Sequence, residues 1–166
     1  PQVQATRMVR EYVTQWYIPA ARAARQIAAE NFAPAREVAA FRSRLNAAWP
    51  LVEVLGVDAS GLPDTPVVGA PMTVRAVVAL AGLDPADVAV EVVVGRVDEA
   101  DELSEAVTVP MKHVGPVDGI EHDGTERFEA AVQLPHAGLT GYTVRVLPYN
   151  PLLASPVELG KVVLAG

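Results

Sequence analysis

Cysteine is absent from the 166 residues. That removes disulfides, thiolate nucleophiles and Cys-ligated zinc together, and it fits a reducing, cytoplasmic setting. Lysine is scarce: only Lys112 and Lys161 occur. Neither stands in a phosphate-cradling GxxxxGK[ST] context, and GxGxxG, GxSxG and HExxH are also missing. No run of 18 apolar residues exists, so no membrane-spanning helix is expected. The first residues, PQVQATRMVREY, are polar and helical in pattern, unlike a signal peptide. The chain starts at Pro1 without Met, as a piece of something longer would. Aromatic residues make up 5%, and both tryptophans, Trp16 and Trp49, precede residue 51.

What charge there is divides unevenly. Residues 1–50 carry seven Arg and three Glu, whereas residues 51–166 carry six basic and seventeen acidic side chains. An acidic majority argues against a nucleic-acid surface, which needs clustered Lys and Arg. The early Arg residues are spaced among apolar helix positions and read as solvated helix faces.

The first 50 residues have helical periodicity. Thr6 is placed to cap a helix in which Val9, Tyr12, Val13, Trp16 and Tyr17 form one stripe. Three large aromatics on a short helix need a surface to bury against, and Tyr12, Trp16 and Tyr17 are the candidate packing residues. Pro19 interrupts the pattern, Ala20 to Phe32 is Ala-rich, and Pro34 suits the first turn of a next helix. There Val38, Phe41, Leu45 and Trp49 recur at helical spacing until Pro50.

From Leu51 the composition turns to Val, Gly, Pro and Asp. Val74, Ala76, Val78 and Leu80 alternate with their neighbours, as do Val88, Val90, Val92 and Val94. Period-2 alternation predicts half-buried strands. The turn residues between them predict that these two strands pair as one hairpin. Further strands are expected near 51–57, 105–112, 126–134, 141–148 and 160–165. The expected fold is mainly β: an immunoglobulin-like β-sandwich of about seven strands over 51–166, preceded by two or three α-helices in a helical segment 1–50. Tyr142, opening a late strand beside Phe128 and Val144 as core residues, fits a structural tyrosine corner.

Candidate chemistry is thin. His113 and His122 with Asp118 and Asp123 could close a metal site across one Gly- and Pro-containing loop, against the alternative of a solvated loop. Asp98, Glu99, Asp101, Glu102 and Glu105 lack the EF-hand pattern and read as a solvated acidic loop. Both lysines lie at strand ends, without the deep polar pocket a Schiff base needs. In the β part only Tyr149 is an expected exposed ring, a poor platform for sugar.

Three motifs in order carry a family resemblance. Thr6-Arg7-Met8-Val9-Arg10-Glu11-Tyr12-Val13, with Trp16-Tyr17 and Pro19-Ala20-Ala21, resembles the last helix of the bacterial α-glucan (glycogen or maltodextrin) phosphorylases. In the long form of that family a helical linker ending as Ala48-Trp49-Pro50 does leads to a β domain. Leu83-Asp84-Pro85-Ala86-Asp87-Val88-Ala89-Val90-Glu91 is similar to its L-x-P-x-D-V-x-V-E stretch, and Gly141-Tyr142-Thr143-Val144-Arg145-Val146 with Pro148 to its G-Y-x-V-R-V-x-P stretch. The resemblance implies a parent enzyme that uses pyridoxal phosphate to transfer glucosyl units between an α-1,4-glucan and phosphate, yielding glucose 1-phosphate. It places the cofactor lysine and the substrate-contacting residues outside this stretch, so no catalytic, cofactor or metal residue is expected here. The implied role is a non-catalytic, cytoplasmic accessory region. Its main partner would be the rest of the parent enzyme, with α-glucan and oligomer contacts as further options and neither nucleic acid nor membrane. A stand-alone carbohydrate-binding or assembly sandwich is the alternative.

Overall fold

The computed structural model describes residues 5–63, 67–99, 102–117, 119, 124–153 and 155–166; the side chains of Ala5, Thr6, Pro19 and Ala23 lie outside that description. The Thr6 cap therefore falls outside the described residues, as do His122, Asp118, Asp123 and Asp101.

Helix α1 (Ala5–Tyr12) runs through a five-residue π turn, Val13–Tyr17, into α2 (Ile18–Ala48). Within α2 the helix is broken at residues 29–32. Ala29 has an extended ψ of 159°, and Glu30, Asn31 and Phe32 have φ of 49°, 53° and 61°. Left-handed geometry costs an L-residue about 1–2 kcal/mol, so something must impose it. Pro34 restarts a helix readily after the break. Arg36 Nη1 donates to the Asn31 carbonyl at 2.8 Å and ties the break to the helix that follows. Two helices meeting just ahead of Pro34 are what the sequence predicts.

The second half of α2 belongs to the β-sandwich in packing. Phe41, Leu45 and Trp49, four residues apart on one helix face, are 1%, 0% and 8% exposed and share one core with Val52, Val74, Leu83 and Phe128. Arg44 reaches Asp87 of the sandwich at 3.6 Å. The Phe41–Leu45–Trp49 stripe is thus occupied by the sheets.

Eight strands form two four-stranded antiparallel sheets. The strands are β1 (Glu53–Ser60), β2 (Pro71–Ala79), β3 (Val88–Val97), β4 (Leu103–Pro110), β5 (Lys112–Pro116), β6 (Thr125–Gln133), β7 (Thr140–Pro148) and β8 (Val163–Leu164). One sheet has the order β1-β2-β6-β5, the other β4-β3-β7-β8. The chain is mainly β, a sandwich with a helical N-terminal part, as expected.

Three strand-level expectations are corrected. First, β2 and β3 are not a hairpin: β2 pairs with β1 and β6, and β3 with β4 and β7. Both strands are buried on alternate residues, and separating them into facing sheets lets Val74, Ala76 and Val78 cover Val90, Val92 and Val94. The connection that crosses is anchored by buried Leu80 and Leu83 and turns at Ala81 and Gly82, with φ of 52° and 83°. Second, the described residues form eight strands. Lys112–Pro116 escapes a period-2 search because its register shifts between His113 and Gly115. Third, the last strand contains only Val163 and Leu164.

On the outer faces the alternate positions form cross-strand ion pairs. Arg75 Nε meets Glu129 at 2.8 Å, and its Nη1 meets Ser60 at 3.0 Å and Asp58 at 3.5 Å. Arg145 Nε meets Glu91 at 2.8 Å on the other sheet. In each sheet an Arg stands directly opposite its carboxylate in the strand register, so pairing reinforces register.

At the β3–β4 bulge Gly95 faces a doubled-up partner strand, where Glu105 has φ 48°. A Cβ on Gly95 would lie 2.6 Å from the Ser104 carbonyl oxygen and 3.1 Å from the Ala106 Cα, both backbone. Gly95→Ala is therefore expected to cost about 1–3 kcal/mol, seen as a lower denaturation midpoint; an unchanged midpoint would show that the bulge is looser than described.

Candidate functional site

The most conspicuous unpartnered surface is α1 and the π turn. Tyr12, Trp16 and Tyr17 are 53%, 67% and 67% exposed, and Met8 and Val9 beside them 53% and 61%. Single exposed hydrophobics are ordinary, but a contiguous set of this size is uncommon on a water-facing surface. The helix 34–49 does not cover these rings.

The local backbone explains how they gather. Ile18 N–H donates to the Val13 carbonyl, an i→i+5 bond. Thr14 Oγ1 donates to the Arg10 carbonyl at 2.7 Å and approaches that of Glu11 at 3.4 Å, the back-bonding by which Thr opens a helix. Pro19 has no N–H for the Gln15 carbonyl, so an α register would fail there in any case. Two shallow grooves result. One, of ≈350 Å³, is lined by Met8, Glu11, Tyr12, Gln15 and Trp16; the other, of ≈270 Å³, by Val9, Tyr12, Val13 and Tyr17. Tyr12 is the ridge between them. The apolar spacing names the three rings in advance. The role of Thr14 shows in the sequence only as a hydroxyl residue four positions after Arg10 and five before Pro19.

The sandwich carries a second, weaker feature. A groove of ≈570 Å³ runs past Pro110, Lys112, His113, Val114 and Glu129, and a smaller one of ≈230 Å³ includes Pro85, Met111, Phe128 and Tyr149. His113 lines both, with its Nε2 2.6 Å from Glu126 Oε2 and its ring 5.4 Å from that of Phe128. Tyr149 is 44% exposed, as anticipated, and its N–H holds the Asp87 carbonyl at 2.8 Å.

Tyr142 lies opposite Val94 on the inward face of β7, but at the end of the sheet, where its ring is 39% exposed. It is not part of the buried core. Phe128, expected with it in the core, is buried. Among the described residues no three His, Asp or Glu converge on a common point.

Neither lysine fits pyridoxal phosphate. Lys112 lies exposed in an open groove beside the Glu129 carboxylate, and Lys161 is half-buried just ahead of the two-residue β8. Neither site offers the enclosed, anion-binding surroundings that an imine with a phosphorylated aldehyde requires. Among the described residues no helix is long and apolar enough to cross a membrane.

The sequence relationships agree with this architecture. Over 165 residues the chain is 52% identical to glycogen phosphorylase of Mycobacterium tuberculosis (strain ATCC 25618 / H37Rv), covering 99% of this chain and 19% of that protein. Glycogen phosphorylase of Mycobacterium bovis gives the same identity and coverage. Maltodextrin phosphorylase of Thermococcus litoralis is 28% identical over 165 residues, 98% of this chain and 18% of that protein. The chain thus spans about a fifth of the length of the curated relatives it matches. Residues 49–166 match the glycogen phosphorylase C-terminal domain, and the chain belongs to that family.

Proposed function

We propose that this chain is the non-catalytic C-terminal region of a cytoplasmic α-1,4-glucan phosphorylase. In the parent enzyme, glucan and phosphate would give glucose 1-phosphate with pyridoxal phosphate as cofactor. The observation that carries the role is the exposed aromatic face of Tyr12, Trp16 and Tyr17 in a chain that spans only a fifth of its relatives. That face is the dock for the rest of the parent. The break at 29–32 then joins two allegiances: residues 5–28 go with the catalytic part, and the helix from Ala33 goes with the sandwich whose core it shares. The change of composition at residue 51 marks where strands begin within that second unit.

The sandwich is best described as immunoglobulin-like. Lettering its strands A, B, C, C′, D, E, F, G in chain order gives sheets A-B-E-D and C′-C-F-G, the arrangement of immunoglobulin domains with one strand added beside C. Tyr142 then stands at the start of strand F, where a tyrosine corner is built. A second reading, contact with glucan by the sandwich, rests on Tyr149 alone.

The accessory role is tested by cutting the full-length enzyme after residue 32, which keeps the aromatic face and removes the sandwich with its helix. The cofactor-loaded truncation should retain the kcat for glucose 1-phosphate formation. The isolated chain 1–166 should bind no pyridoxal phosphate that survives dialysis and should leave phosphorolysis at background. Loss of turnover in a folded, cofactor-loaded truncation would discard the accessory role, as would turnover by the isolated chain that vanishes on Lys112→Ala.

A further inference from the structure

We infer that the π turn Val13–Tyr17 is a positioning device, with Thr14 and Pro19 setting the helical phase that gathers Tyr12, Trp16 and Tyr17 into one docking face. This rests on the proposal that the face receives the rest of the phosphorylase chain. That occupant follows from length: about four-fifths of each matched phosphorylase lies outside the region this chain covers.

In an α-helix successive side chains are about 100° apart, so Trp16 would lie about 40° from Tyr12 and Tyr17 about 140° from it, at opposite edges of a wide stripe. A π turn holds one extra residue. The residues after it then occupy positions that an unbroken α-helix would give to those one place earlier. Trp16 and Tyr17 close the turn, so each swings back by up to about 100°, which carries Trp16 toward the other side of Tyr12 and brings Tyr17 closer to it. The two grooves record this outcome, since Tyr12 lines one with Trp16 and the other with Tyr17. The i→i+5 bond from Ile18 to Val13 and the Thr14 hydroxyl on the Arg10 carbonyl hold the extra residue in place. Pro19 removes the N–H on which an α register would depend. Thr14 and Pro19 therefore act through the rings without needing to touch the partner.

Hydroxyl-radical footprinting of the full-length phosphorylase tests this, because it reads each ring separately. In the unmodified enzyme Tyr12, Trp16 and Tyr17 should be oxidised several-fold more slowly than in the 166-residue chain. Thr14→Val combined with Pro19→Ala should let the helix return to α geometry and raise oxidation of Tyr17 to the level of the free chain. Deleting residue 14 together with Pro19→Ala should restore protection, because removing one residue from an α-helix reproduces the phase of the π turn. Protection that survives Thr14→Val/Pro19→Ala, or that the deletion fails to restore, would overturn the phase argument. Equal oxidation of all three rings in the unmodified enzyme and the free chain would overturn the dock itself, and so would protection already present in the free chain through self-association.

Discussion

Phe41→Ala is expected to destabilise the 166-residue chain by about 3–5 kcal/mol, the range for truncating a buried aromatic. The ring is 1% exposed within the sandwich core, although it belongs to a helix that precedes the first strand. A domain of this size loses roughly 2–4 °C in Tm per kcal/mol, so the transition should fall by roughly 6–20 °C. Total stability of ordinary domains is about 5–15 kcal/mol, so this one truncation removes a large share of it. Thermal denaturation followed by circular dichroism would show one transition, shifted as a whole. An unchanged transition would mean that the helix from Ala33 is not docked on the sheets.

Trp16→Ala is expected to behave oppositely in two contexts. In the 166-residue chain the ring is 67% exposed, so its loss should leave Tm almost unmoved. In the full-length phosphorylase the same ring should sit in a desolvated contact, where aromatic truncations commonly cost about 2–4 kcal/mol. Differential scanning calorimetry of both proteins, with and without the substitution, separates the cases. A large loss in the short chain would mean that the ring is covered from within; no loss in either would mean that nothing covers it.

These two substitutions also mark what the sequence made legible. Helical spacing named both stripes, Tyr12/Trp16/Tyr17 and Phe41/Leu45/Trp49, because periodicity reports that a face must be buried. It does not report what buries it. The first stripe proved uncovered and the second proved part of the sandwich. Strand patterning worked in the same way. Alternation in Val74–Leu80 and Val88–Val94 located two strands, yet their shared pattern is equally consistent with a hairpin or with facing sheets. The choice depended on Leu80 and Leu83 anchoring the crossing, which is a three-dimensional fact. Lys112–Pro116 stayed hidden because its bulge breaks alternation, and Tyr142 looked like core because its parity is right while its place at the sheet end is not. The π turn was least visible, being written only in a Thr hydroxyl and a missing proline N–H.

The most direct measurement of the central claim is the structure of the full-length phosphorylase around residues 8–18. The account predicts Tyr12, Trp16 and Tyr17 buried side by side against the preceding part of the chain, with Tyr12 as the ridge between two filled grooves and the i→i+5 bond retained. Rings left open to solvent, or covered instead by the sandwich of the same chain, would contradict it.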